Sequence, residues 1–187
     1  MIEAAIAAGL DGLVFTEHDI FWPSGELKGL RAKYPSLVIL NGIEVSTDEG
    51  HLLVYGMTHR CLSDGYWSLP DLLDSTSDDG VYRAIAHPFR FDKDSDHFAF
   101  LAGMPMDGVE VASINTDRRG SRMAGELAEV GGFHRIASSD AHSVENVGRY
   151  YTVFEDSVCS ESELVQALKA RRSRPSHDKV VFTTVTS

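Results

Sequence analysis

Cysteine is scarce: the 187 residues hold two, Cys61 and Cys159, and no Cys-x-x-Cys pair. A disulfide framework and a thiolate zinc site are both excluded, and the usage fits a reducing compartment. No apolar run reaches the ~18–20 residues of a membrane-spanning helix, so no membrane partner is expected. Basic residues are also in short supply, with 17 Lys plus Arg against 28 Asp plus Glu and a formal net charge of −11. So acidic a chain lacks the basic face that non-specific nucleic-acid binding requires. Met1-Ile2-Glu3-Ala4-Ala5 carries an acid and no basic n-region, so it does not read as a signal peptide, and a cytoplasmic protein is expected. No internal repeat and no low-complexity linker interrupts the chain. What remains is ordinary globular material, 43% hydrophobic and 24% charged. It is enough for one core, and residues 1–187 read as a single domain.

The order of elements follows from periodicity. Ile2, Ala5, Ile6 and Leu10 lie at helical spacing, and Gly9 and Gly12 surround the stop, so the chain opens inside an amphipathic helix. Gly12 to Thr16 reads as a short buried strand. Pro23 and Ser24 precede a helix that ends at Tyr34-Pro35. Leu37 to Val45 and His51 to Gly56 read as strands, and the short Thr47-Asp48-Glu49-Gly50 spacer between them favours a hairpin. Further strands are expected at Tyr82–Ala86, Gly108–Val111, His134–Ala137, Arg149–Phe154 and Val180–Val185. Helices are expected near Leu69–Leu73, at Phe98–Leu101, at Arg118–Val130 closed by Gly131-Gly132, and from the capping box Ser160-x-x-Glu163 through Lys169. Short strands alternating with helices predict an α/β fold with a largely parallel sheet, either open or closed into a barrel.

Polar residues fall where such sheets place function, at the carboxyl ends of strands. Glu17 and His18 follow one strand and Glu44 ends the next. His87 follows Tyr82–Ala86, Glu110 ends another strand, and Asp140 and His142 follow Ile136-Ala137. His51 starts its strand, but the hairpin brings that start beside the end of Glu44's strand. Carboxylates and imidazoles that converge without cysteine suit divalent ions such as Zn²⁺, Mn²⁺ or Fe²⁺. A bridging carboxylate can hold two ions ~3.5–4 Å apart, an arrangement used in phosphate-ester hydrolysis.

The motifs Thr16-Glu17-His18-Asp19, Gly42-Ile43-Glu44, Gly50-His51-Leu52-Leu53, Ala86-His87-Pro88-Phe89-Arg90, Gly108-Val109-Glu110-Val111 with Asn115, and Ser139-Asp140-Ala141-His142 occur in one order. That order resembles the PHP domains, the polymerase and histidinol phosphatase relatives. Val147 to Thr152 and the following helix look like the tail of the stand-alone metal-dependent phosphoesterase branch. The resemblance implies a distorted (β/α)7 TIM-like barrel with two or three divalent ions (Mn, Zn or Fe). It places Glu44 as a bridging ligand, His51 and His87 in one ion's shell, Asp140 on the neighbouring ion, and His18 and His142 on a third. The substrate would be a small phosphorylated molecule, its phosphate steadied by Arg90 and attacked by a metal-bridging hydroxide. A protonated His18 or His142 would assist the leaving group, a role closed to a histidine bound to metal.

The chain departs from the family in one respect. PHP domains begin with a strand ending in His-x-His, and no His-x-His occurs here. The resemblance therefore implies a barrel incomplete at the N-terminus, fewer bound ions and an exposed sheet edge that favours homo-oligomers. Two alternatives follow: a non-catalytic or regulatory module with an eroded site, and an amidohydrolase-like hydrolase acting on a non-phosphate substrate. Glu110 reads as a residue that orients others or binds substrate with Asn115, and less readily as a ligand. Arg118 and Arg119 read as a solvated helix face. His59, His97, His134 and His177 match no motif and read as surface or structural, Cys61 and Cys159 as inert thiols. Trp22 and Trp67 read as packing residues near the cavity mouth.

Overall fold

The computed structural model describes residues 1–57, 67–90 and 95–177. The strand expected at Val180–Val185, together with His59 and Cys61, lies outside them. The elements are α1 (Ile2–Ala7), β1 (Gly12–Phe15), α2 (Ser24–Lys33), β2 (Val38–Thr47), β3 (Gly50–Tyr55), α3 (Leu69–Ser75), β4 (Tyr82–Ala86), α4 (Ser95–Ala102), β5 (Gly108–Ala112), α5 (Arg118–Gly131), β6 (His134–Ala137), β7 (Tyr150–Phe154), α6 (Glu161–Lys169) and β8 (Ser173–His177). No helix among the described residues is long and apolar enough to cross a membrane.

This is an α/β fold whose six-stranded sheet runs β1-β2-β3-β4-β5-β6 and curls into a half-barrel, with β7 and β8 as a separate antiparallel pair. The sheet is largely parallel, as the sequence pattern suggested, with β3 alone reversed. β1–β2, β4–β5 and β5–β6 are parallel, whereas β3 runs against both neighbours. The reversal has a local cause. Thr47 pairs with Gly50, so Asp48-Glu49 is a two-residue turn, and Gly50 takes φ +133°, open to glycine at no steric cost. Tyr55 then pairs with Tyr82, so β4 starts at the end where β3 stops and needs no crossover.

Side chains alternate across the sheet with period two. On one face Ile43, Val45, Leu52, Val54, Ile85 and Val109 pack against α3, α4 and α5 through Leu69, Leu72, Leu73, Leu101 and Leu127. Ile39 on the same side meets Ala5 of α1 and Leu27 of α2. On the opposite face Leu53, Tyr55, Tyr82, Ala84 and Ile136 meet Leu164, Val165 and Leu168 of α6. Helix α6 therefore fills one end of the curled face. Its first turn is tied down by Glu161, which accepts from Arg31 at 2.6 Å and from the Asn41 N–H at 3.2 Å.

Helix ends follow their caps. Asp117 accepts the Gly120 N–H at 2.7 Å to start α5, and Gly132 ends it at φ +66°. Ser160 accepts the Glu163 N–H at 3.2 Å, while Glu163 reaches back to the Cys159 N–H at 2.7 Å. The capping box thus forms, with its returning bond one residue earlier than the standard pattern. Strand β8 is a feature the sequence pattern did not suggest: it is polar and contains Pro175, tolerated because the β7–β8 ribbon is all edge.

Candidate metal centre

The period of two that buries the sheet also builds the site. Glu44 lies on the same face of β2 as Leu40 and Gly42, and His51 shares its face of β3 with Leu53 and Tyr55. Because β3 is antiparallel, the start of that strand lies at the carboxyl end of β2, where Ser46 pairs with His51. His51 in turn faces Ala86, the last residue of β4. His18 joins from the loop after β1 through an isolated parallel bridge to Glu44, with the Glu44 N–H on the Glu17 carbonyl at 3.1 Å and the Asp19 N–H on the Glu44 carbonyl at 2.9 Å.

Glu44 is the hub. Its carboxylate is 5% exposed, and one oxygen, Oε1, lies 2.7 Å from His51 Nδ1 and 3.2 Å from His87 Nε2. Burial pushes the Glu44 carboxyl up, but hydrogen bonds from His51 and His87, helped by the charges of His87 and His18, outweigh it and bring it down to about 2. For His87 burial works against the charged form. The bond to Glu44 and the neighbouring carboxylates of Glu110, Glu44 and Asp140 overcome it and raise the imidazole above its ordinary value. His87 Nε2 also stands 3.7 Å from Asp140 Oδ2. The His18 and His51 rings meet edge to face at 4.7 Å, and those of His51 and His87 at 5.3 Å.

His18, Glu44 and His51 each offer a ligand atom within 4.8 Å of the others'. The tight trio thus contains His18, where the family resemblance grouped His87 with Glu44 and His51. His87 and Asp140 stand directly beside it. His142 is further out, its side chain 68% exposed, and its Nδ1–H donates to the Asp140 carbonyl at 3.0 Å. A bond at Nδ1 leaves Nε2 as the atom able to bind a ligand. Arg90 is exposed in the turn after β4, its N–H on the His87 carbonyl at 3.0 Å. The donor set is one buried anionic oxygen with imidazoles crowded against it, and it suits a divalent cation of borderline hardness. In such a site an ion replaces the protons that now hold the imidazoles and carboxylate together.

The backbone is strained here. Non-glycine residues with positive φ among the described residues are Asp19 (56°), His87 (28°), Asp140 (46°) and Arg171 (56°), so three of four belong to these loops. Each such residue costs of order 1–3 kcal/mol and persists only where its surroundings over-determine it. Asp19 is held by its own carboxylate, which accepts from the Ser46 N–H and hydroxyl, both at 2.7 Å. Asp19 is thus a positioning residue beyond those expected from the sequence. The available signal was the tolerance of Asp for left-handed backbone after a strand.

The remaining candidates fall into structural roles. His97 is buried with Nδ1 2.9 Å from Glu49, and His134 Nε2 lies 2.8 Å from Ser173 Oγ. The His177 ring stands 6.3 Å from that of Tyr150 at the ribbon edge. Trp22 packs 4.8 Å from Phe15 and donates to Glu17 at 3.2 Å, and Trp67 packs against the outer core. Arg118 and Arg119 are exposed at the start of α5, and Cys159 is an exposed thiol.

Residues 119–173, which carry Asp140 and His142, match the family described as PHP-associated. That match relates this stretch of the chain to the PHP family. Solved structures share its fold. PsfC from Pseudomonas syringae PB-5123 superposes with TM-score 0.68 at 19% identity over 95% of this chain and 81% of that one. An amidohydrolase from Chromobacterium violaceum, crystallised with sulfate and no metal, gives TM-score 0.66 at 18% identity over 94% and 90% of the two chains. A candidate metal-dependent phosphoesterase from Bifidobacterium adolescentis ATCC 15703 gives 0.63 at 13% identity over 91% and 89%. At these identities the likeness is one of fold. No curated protein sequence matched the chain. The resemblance to the PHP family is borne out by this match, and that family implies divalent metal.

Proposed function

We propose that this chain is a PHP-type metal-dependent hydrolase that cleaves a phosphate ester of a small molecule, working in the cytoplasm as a single domain with a distorted (β/α)7-type barrel. The observation that carries the reading is Glu44 Oε1 shared by His51 and His87, 2.7 and 3.2 Å away, with His18 in reach at the carboxyl end of the sheet. His18, Glu44 and His51 would hold one divalent ion, and His87 and Asp140 a neighbour that shares Glu44. His142 would complete that set or remain free on the substrate side. Manganese, zinc and iron all suit these donors. When bound, such ions supply Lewis-acid activation of water and neutralise charge that builds on phosphorus.

The chain's own groups define the rest. Glu44 stays ionised at neutral pH and keeps a negative charge under the cations. His87 must lose its extra proton before Nε2 can donate. Arg90 offers a guanidinium to substrate phosphate oxygens from the exposed rim. Whichever of His18 and His142 is not engaged by metal carries a proton to the leaving oxygen.

The test is elemental analysis of protein purified without chelator or binding tag, followed by a screen of phosphate esters against lactones and amides. Bound divalent metal with phosphate-ester turnover, both lost in Glu44→Ala and His87→Ala, is the expected result. Turnover of amides or lactones alone would replace the substrate class. A Glu44→Ala/His87→Ala double variant as active as its parent would overturn the site.

A further inference from the structure

Glu110 is the most thoroughly buried carboxylate at the site, 1% exposed. It lies on the same face of β5 as Gly108, one strand away from His87, yet it is not part of the ligand trio. Both of its oxygens are spoken for. Oε2 accepts the main-chain N–H of His87 at 3.0 Å, and Oε1 accepts the hydroxyl of Ser138, the residue after β6. One carboxylate therefore ties together the ends of β4, β5 and β6. The β5–β6 register shifts between Glu110 and Ala112, and such bulges re-aim side chains beside functional sites. A parallel arrangement holds the other candidate ligand: Asn115 Nδ2 donates to Asp140 Oδ2. The two struts thus act on His87 and Asp140, the residues that carry a candidate ligand atom on left-handed backbone.

We infer that Glu110 is a positioning residue and not a metal ligand. It grips the His87 backbone in its left-handed turn and so keeps Nε2 directed at Glu44 and Asp140. Ser138 holds Glu110 in place, and Asn115 does the corresponding work on the Asp140 carboxylate. The inference rests on the metal-centre reading above but makes a claim that can be read without metal.

Gln at position 110 separates the two roles. Its carbonyl oxygen still accepts the His87 N–H, and its amide still bonds Ser138 Oγ, now as donor. It loses the charge that a ligand needs. Metal-free wild-type, Glu110→Gln and Glu110→Ala proteins are titrated with Zn²⁺ against a chromophoric chelator and with Co²⁺ followed by its visible absorption. Crystal structures of the metal-free forms are compared. The expected result is Glu110→Gln within about threefold of wild type and Glu110→Ala weaker by about 10–100-fold, the usual effect of removing a group that orients a ligand. His87 should keep its positive φ in the Gln form and leave it in the Ala form. If Glu110→Ala does not fold, Ser138→Ala, which removes only the hydroxyl behind Glu110, should weaken binding severalfold. Glu110→Gln as weak as Glu110→Ala would make Glu110 a ligand and overturn the inference. So would an Ala form that binds and looks like wild type. A wild-type chain that takes up no ion defeats the metal-centre reading, and the His87 backbone comparison still decides this one.

Discussion

At the scale of single residues, the centre is governed by competition between burial and charge. Glu44 is moved from the usual 4.5 to about 2. In metal-free protein this carboxylate contributes on the order of 3 kcal/mol of stability. A lowered carboxyl gives a contribution fully present above its unfolded value and lost as pH falls through the folded one, here from about pH 4.5 toward 2. His87 has the opposite sign: its raised imidazole stabilises below the ordinary 6.5 and loses that contribution as pH rises through its folded value. Urea melts of metal-free Glu44→Gln against wild type should therefore show a flatter acid limb and a loss largest near neutral pH. Metal affinity should rise with pH across the His87 titration, because the ion displaces that proton. A pH-independent affinity would contradict the shared Glu44–His87 bond.

The elements hold through their ends as much as their faces. Helix α5 has its Asp117 cap, its left-handed Gly132 stop and one buried stripe of Ala124, Leu127 and Ala128. Asp117→Ala should cost about 1 kcal/mol by removing the bond to the Gly120 N–H. Gly132→Ala should cost a similar ~1 kcal/mol through its positive φ. Both should leave metal stoichiometry unchanged, as chemical denaturation paired with elemental analysis would show. The hairpin of β2 and β3 is the element on which the site depends most. It sets His51 beside Glu44, and a longer turn would move the imidazole off the carboxylate.

For the molecule as a whole, α6 lies on the curled face beneath the site and the other helices on the opposite one. Leu168 is 2% exposed between α6 and the Tyr55–Tyr82 pair, whose rings stack at 6.2 Å. Leu168→Ala should destabilise by about 2–5 kcal/mol in a denaturant melt. Zinc or cobalt affinity should hold, since the cavity opens at the far end of the sheet. Loss of metal in that variant would mean that α6 supports the ligands directly.

The candidate site was largely legible in the chain because its residues, His51 apart, fall at or just after the end of an apolar strand, and a polar residue at that point is readable without coordinates. His18, Glu44, His87 and Asp140 were found this way, and His51 through its turn. Their grouping was not legible. Whether His18 or His87 sits tightest on Glu44 depends on how far the β1 loop reaches across the sheet, a distance no spacing encodes. Glu110 looked like another strand-end acid. Only the turn of His87 into left-handed backbone shows its oxygens meeting an N–H and a hydroxyl. The placement of α6 escaped for a related reason: an amphipathic stripe specifies that a face is buried, not which surface covers it. The sequence by itself determined the elements, the acidic charge and the residue types gathered at the strand ends, because these follow from local periodicity and composition. The tertiary structure alone decided which of those residues touch, since contacts between distant segments depend on sheet curvature and packing.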